Sequence, residues 1–120
     1  MNKVEKFTIN GQTIDVEIAE SFLSRLRGLM MRPKLERGRG LLLAPCDGVH
    51  MCFMRFAIDV VYLDKNFCVK KIVRNLWPWL GVSFCLGAWG ALELASGEID
   101  RLKISVGQLL LKSNQTVRVC

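Results

Sequence analysis

Between Leu76 and Leu92 the chain runs for 17 residues, LWPWLGVSFCLGAWGAL, without a charge, and how this stretch folds decides what kind of protein the chain is. With Lys70, Lys71 and Arg74 just ahead of it, it mimics a short membrane span with a positive flank. Its length is at the lower limit for a bilayer helix, and Pro78, Gly81, Gly87 and Gly90 interrupt it. No three-to-four-residue apolar repeat runs through it. The stretch therefore reads as an apolar loop entering a strand, and no membrane span is expected. What remains is a 120-residue chain with 51% hydrophobic and 23% charged residues, the composition of a folded protein, so residues 1–120 are expected to form one domain.

The rest of the pattern is β-rich. Apolar and polar residues alternate over 7–9 and 13–18 around Asn10-Gly11, the strongest short-range hairpin signal. Phe22, Leu23, Leu26, Leu29 and Met30 recur at helical spacing behind Ser21, which predicts a short helix over 22–31 that Pro33 ends. Residues 41–44 are apolar enough for a strand buried on both faces. Strands are expected over 49–56 and 58–64, and Lys65-Asn66 turns the second into another over 67–74. A strand over 91–94 precedes a short helix at 97–102, with Ser96 as its cap and Glu98 and Asp100 matching the helix dipole. Strands at 104–111 and 116–119 complete the sheet. The reading is α+β: a β-rich single domain with a mostly antiparallel curved sheet or partly open barrel and two short helices.

Charge and cysteine usage narrow the setting. Seventeen Lys and Arg against eleven Asp and Glu give a net charge of +6. Most of the excess lies between Arg25 and Arg39, where Arg25, Arg27, Arg32, Lys34, Arg37 and Arg39 face only Glu36. Such a run is most often a solvated face; it would also suit nucleic acid or an acidic protein, but it lacks the interleaved aromatics of single-strand binders. Five cysteines, Cys46, Cys52, Cys68, Cys85 and Cys120, stand at irregular spacing and the first twenty residues hold no secretory signal, so a basic, soluble, cytoplasmic protein is expected. Most of the thiols read as small buried hydrophobes, and Cys120 as a frayed end. No phosphate-cradling glycine loop, paired CxxC, HExxH or nucleophile elbow is present.

Four segments carry a family resemblance: RLRGLMMRP at 25–33, GLLLAPC at 40–46, VHMCFMRFAIDVVYLD at 49–64, and LELASG at 92–97 with ISVGQ at 104–108. In order and spacing, over about 18–111, the chain resembles the uncharacterised domain-of-unknown-function family 192. The resemblance implies a compact β-rich α+β fold of bacteria and archaea, sometimes exported, and brings no activity with it. Arg27, Gly28, Leu29 and Met30 match the family's helix-end signature; His50, Phe53, Met54, Arg55, Asp59 and Asp64 match its central block. The chain departs from the pattern around Met51, at Ala57 where the family usually has Pro, and at Gln108 where it has Asp. A turn role for that Asp is one that Gln partly replaces.

The central block holds the only histidine and the densest reactive set. On a regular strand His50, Cys52 and Met54 would share a face, and with Cys46 they offer imidazole, thiolate and thioether, a set for a soft transition metal. Consecutive ligands on one strand face stand roughly 6.6–7 Å apart, so only a bent strand would converge them. No cofactor is expected otherwise. Asp59 lies inside an apolar run and needs a partner if buried, for which Arg55 is the nearest candidate. An acid–base enzyme would use His50 oriented by Asp59 or Glu93. Trp77-Pro78-Trp79 places two aromatics in one loop with Trp89 ten residues on, either the residue type enriched in binding hot spots or rings that close one end of the small barrel; Met30, Met31, Met51 and Met54 read as gap-filling core. The favoured function is a non-enzymic module binding a small molecule or a protein through Trp77, Trp79, His50, Arg55 and Asp59. The alternative is an enzyme or soft-metal protein centred on Cys46, His50 and Cys52. The two differ in what they require: exposed tryptophans, or a histidine within reach of acids or thiols.

Overall fold

The computed structural model describes residues 3–21, 29–30 and 32–113; the helix expected over 22–31 and the strand at 116–119 lie outside or mostly outside them. Chain alternation and turn chemistry build most of the sheet directly. Strands β1 (Lys3–Ile9) and β2 (Gln12–Ala19) pair antiparallel in full register, closed by Asn10 and Gly11. Both turn residues have positive φ, 48° and 82°, as a two-residue turn matching the strand twist demands. Strands β3 (Arg39–Leu43), β4 (Gly48–His50), β5 (Ile58–Leu63), β6 (Val69–Leu76), β7 (Val82–Phe84), β8 (Gly90–Ala95), helix α1 (Glu98–Leu102) and strand β9 (Leu111–Lys112) follow.

Seven strands form one sheet in the order β6-β5-β8-β3-β2-β1-β9, and β4 and β7 form a separate two-stranded ribbon. The pairs are antiparallel except β2 with β3. Strands at the middle of the sheet are apolar on both faces, and both faces are covered. One core gathers Leu42, Val61, Leu92 and Leu94 with Ile99 and Leu102 of α1. The other gathers Leu41, Leu43, Val60, Tyr62 and Ala91 with Val49, Met51 and Met54. Each fully buried Leu, Ile or Val contributes about 2 kcal/mol, so these interleaved rows stabilise the sheet from both sides. The sheet also curls: Val69 N–H donates to Gln108 O at 2.8 Å, Gly107 N–H to Val69 O at 2.8 Å and Leu110 N–H to Phe67 O at 2.9 Å. Its two ends thus meet at one corner, giving the expected β-rich, partly open barrel.

Helix α1 is held from outside itself. Its N-cap is Gly97, φ 94°, with no side-chain cap; Ser96 instead donates to Asn75 Oδ1 at 2.7 Å, which corrects the expected Ser96 cap. The first-turn amides go to a carboxylate far away in sequence, Asp59 Oδ2, which accepts from Gly97 N–H at 3.1 Å and Ile99 N–H at 2.9 Å. At the other end Asn10 Nδ2 donates to Leu102 O at 2.9 Å and Lys103 O at 2.8 Å. One asparagine therefore makes the hairpin turn and satisfies the helix carbonyls, which otherwise lack partners.

Two further expectations change. Residues 49–56 do not form one strand: β4 stops at His50, and Met54 N–H bonds back to Met51 O at 3.1 Å with Phe53 at φ 62°. The partner of β4 is β7, not β5. In the region 104–111 only the bridge Cys68↔Leu109 and the start of β9 are strand-like. Gln108 does act in a turn, accepting Ser105 N–H through its side chain at 3.1 Å and donating to Asn10 Oδ1 at 2.9 Å.

Candidate functional site

The ribbon sits on the second core with one side down. Alternation turns Val49 and Ser83 inward, where both are buried, and leaves His50, Val82 and Phe84 outward. The inward serine accepts a hydrogen bond from Tyr62 Oη at 3.1 Å, and this contact locks ribbon to sheet. Burial pushes the Tyr62 phenol up to about 12, with the Ser83 bond opposing it, so it remains a neutral donor. In β7 amphipathicity is thereby inverted: the polar Ser83 is inside and the large apolar Val82 and Phe84 face water.

The loops at the ribbon's ends continue that surface. Trp79 N–H donates to Met51 O at 2.7 Å, Met51 N–H to Gly81 O at 2.9 Å and Gly81 N–H to Trp77 O at 3.0 Å, a tight knot between the two loops. Gly81 is required there, because a Cβ would stand 2.7 Å from Leu76 Cγ and 2.8 Å from Met51 Cγ. Phe53 and Trp79 are both left-handed, φ 62° and 67°, a conformation costly for aromatic residues and concentrated at functional sites. Their rings meet at 5.1 Å. Along the ribbon and the loops at its two ends, Phe53, Trp77, Trp79, Leu80, Val82, Phe84 and Leu86 are 51–87% exposed. Lys71 Nζ lies 5.8 Å from the Phe84 ring centroid and donates to Phe84 O at 2.8 Å.

The residues singled out from the sequence divide between this surface and the interior. His50 is exposed on the ribbon's outer side opposite Val82; Arg55 is exposed five residues on, and Trp77 and Trp79 are exposed in the loop that hydrogen bonds tie to Met51. Cys52 is exposed in the turn after β4, whereas Met54 is buried in the core and Cys46 is half-buried, its thiol donating to Gly48 O at 3.1 Å. Because the strand ends at His50, the expected common face for His50, Cys52 and Met54 does not form. No group of three or more His, Cys, Asp or Glu side chains stands together among the described residues. Cys46, Cys52 and Cys85 are reduced and Cys68 is disulfide-bonded.

Asp59 is buried, but Arg55 is not its partner. Its Oδ1 accepts Asn75 N–H at 2.9 Å and its Oδ2 takes the two helix amides, which makes it a structural cap. Glu93 is also buried, beside Leu41 and Val60 in the register of β8. Burial pushes its carboxyl up to about 8, opposed by the charge of Arg32. In the basic run, Arg32 pairs with Glu17 at 2.7 Å, Lys34 with Glu36 at 3.5 Å and Arg37 with Glu98 at 3.8 Å, so carboxylates answer much of its charge. Arg25 and Arg27 lie outside the described residues. Trp89 packs inward on Phe67 at 5.3 Å, apart from the other two tryptophans.

Sequence reasoning missed Leu80, Val82, Phe84 and Leu86 as exposed. The signal was the Val-Ser-Phe triplet, in which a serine between two large apolar residues marks the inward position.

A curled, β-rich α+β barrel with an apolar outer ribbon is the class of protein that fold and surface define. The chain belongs to domain-of-unknown-function family 192 (DUF192, "Uncharacterized ACR"), whose model matches residues 5–111. It is 34% identical over 97 residues to a UPF0127 protein of Thermococcus sibiricus, covering 77% of this chain and 62% of that one, and so spans less than two thirds of that relative. It is 34% identical over 104 residues to a UPF0127 protein of Pyrococcus furiosus, covering 81% of this chain and 85% of that one. The fold is similar to the crystal structure of a proposed transcription regulator from Sinorhizobium meliloti (TM-score 0.83, 20% identity, covering 93% of this chain and 95% of that one). It is also similar to a protein of unknown function from Novosphingobium aromaticivorans (TM-score 0.78, 20% identity, covering 92% and 84%).

Proposed function

We propose that this chain is a binding module whose contact surface is the outer side of the β4–β7 ribbon with the loops carrying Phe53, Trp77 and Trp79. The observation that carries the reading is the set of seven large apolar side chains held in water by one short ribbon and its loops. Contiguous apolar surface of this kind on a folded chain marks a contact site, and tryptophan is the residue most enriched at its energetic centre. The knot of backbone hydrogen bonds at Met51, Trp79 and Gly81 holds the surface in place before any partner arrives, which lowers the entropic cost of binding. His50 and Arg55 belong to its polar margin, whereas Asp59, which caps α1 on the other side of the sheet, lies apart from it.

The test uses bis-ANS, a dye whose fluorescence rises on apolar protein surface. Wild-type protein should bind it, and Trp77→Ser/Trp79→Ser/Leu80→Ser should lose most of that signal at unchanged circular dichroism. Equal dye binding by the folded triple variant would refute the reading, whereas loss of signal in His50→Ala alone would move the site to the histidine.

A further inference from the structure

We infer that the ribbon surface docks on an anionic lipid bilayer, lying in the interface without crossing it; this rests on the ribbon being the contact face proposed above. Three observations converge on that occupant. The first is the kind of apolar group exposed. Trp77, Trp79, Leu80, Val82, Phe84 and Leu86 point out from loops and a two-stranded ribbon. Protruding aliphatic tips beside indoles suit the boundary between headgroups and acyl chains, where tryptophan concentrates.

The second is what surrounds them. Lys70 Nζ stands 3.9 Å from where a Cβ on Gly87 would be, beside the turn that carries Leu86. Lys71 lays its ammonium by the Phe84 ring. Arg55 is exposed two residues beyond Phe53. No carboxylate makes a salt bridge with Lys70, Lys71 or Arg55 among the described residues. Protein interfaces deplete lysine around an apolar centre, whereas an anionic leaflet attracts a basic rim that keeps its stems on apolar surface and its charges at the headgroups.

The third is the absence of opposing charge in the sequence. Residues 65–90 contain four basic residues and no Asp or Glu, and residues 46–57 contain Asp47 as their only acid. Apolar insertion and electrostatic attraction are thus both present, and stable interfacial anchoring takes two such signals. Among the described residues no helix is long and apolar enough to cross a membrane, and the exposed part of the uncharged stretch, from Trp77 to Leu86, acts here by lying against the lipid while Ala91 and Leu92 stay in the core.

The experiment is co-flotation of the full chain with vesicles of phosphatidylcholine alone or mixed with phosphatidylglycerol, at low and high salt, with tryptophan emission recorded in parallel. Wild type should float with the mixed vesicles and shift its emission to the blue, and salt should weaken the association. Trp77→Ser/Trp79→Ser/Leu80→Ser should lower partitioning about tenfold or more. Lys70→Gln/Arg55→Gln should lower it several-fold on mixed vesicles and leave phosphatidylcholine unaffected. Wild type that stays with neither vesicle at low salt overturns the inference. If bis-ANS binding is then still lost in the triple variant, the ribbon remains an apolar contact face and only the lipid is refuted. Dimers in sedimentation velocity that disappear in the triple variant, without flotation, would refute the lipid in favour of a second copy of this chain.

Discussion

In β5, at the middle of the sheet, all six residues Ile58–Leu63 are buried, and the one charge among them has three backbone donors. In β7 Val82 and Phe84 stand in water while the buried position is a serine. The same residue types therefore do opposite work in the two regions. In the sheet, apolar side chains supply stability and each buried polar group is a potential liability that needs partners. In the ribbon, the apolar area left in water is area that another surface can still bury, and buried Val49 together with the polar Tyr62–Ser83 contact does the anchoring. Stability and recognition are thereby assigned to different parts of the chain, and substitutions can separate them.

The largest effect is expected at Asp59. Asp59→Ala strips the acceptor from Asn75, Gly97 and Ile99 at once and should lower unfolding free energy in urea by about 4 kcal/mol. A loss below about 1 kcal/mol would mean that α1 holds itself. Glu93→Gln should act in the opposite direction. The folded-state carboxyl titrates at about 8 rather than 4.5, so the folded protein keeps a proton that the unfolded chain releases between those values. Wild-type stability should accordingly fall as pH rises from about 4.5 to about 8, by on the order of 4 kcal/mol. The glutamine variant should be about 3 kcal/mol more stable at pH 7 and lose this slope; an unchanged slope would locate the titration elsewhere.

Asn10→Ala removes two side-chain donors from the end of α1 and leaves alanine at φ 48°. It should cost about 2 kcal/mol, checked by thermal melting. Trp77→Ser should be smallest, within about 0.5 kcal/mol of wild type, despite the size of the side chain removed. A drop of several kcal/mol there would erase the contrast, because it would make the ribbon part of the core.

How far the fold could be read from sequence follows the reach of the interactions involved. Asn10-Gly11 specified its hairpin because turn conformation is set within two residues. Ile58–Leu63 was legible because a run apolar on both faces has few other solutions. The central block was misread beyond His50, since its pairing depends on β7, about thirty residues on, and its chain reversal on contacts with the Trp77–Gly81 knot. Asp59 was correctly expected to need a partner, but sequence proximity offered Arg55 while the fold brought amides from 16 to 40 residues away. Of the surface, Trp77 and Trp79 announced themselves by loop placement; Val82 and Phe84 did not, because apolar alternation looks alike whichever side it turns to water.

The corner where residues 107–110 meet the start of β6 has a consequence for coexistence of many copies. A sheet ending in an unpaired strand offers its ladder to any neighbouring chain, and edge-to-edge polymerisation begins there. Here the hydrogen bonds at Phe67 and Val69 are already taken by Leu110, Gln108 and Gly107. The remainder of β6 carries exposed Lys70, Lys71 and Arg74. A second molecule approaching that edge meets like charge on a strand whose first rungs are occupied, so the sheet resists growing into fibres even in crowded solution.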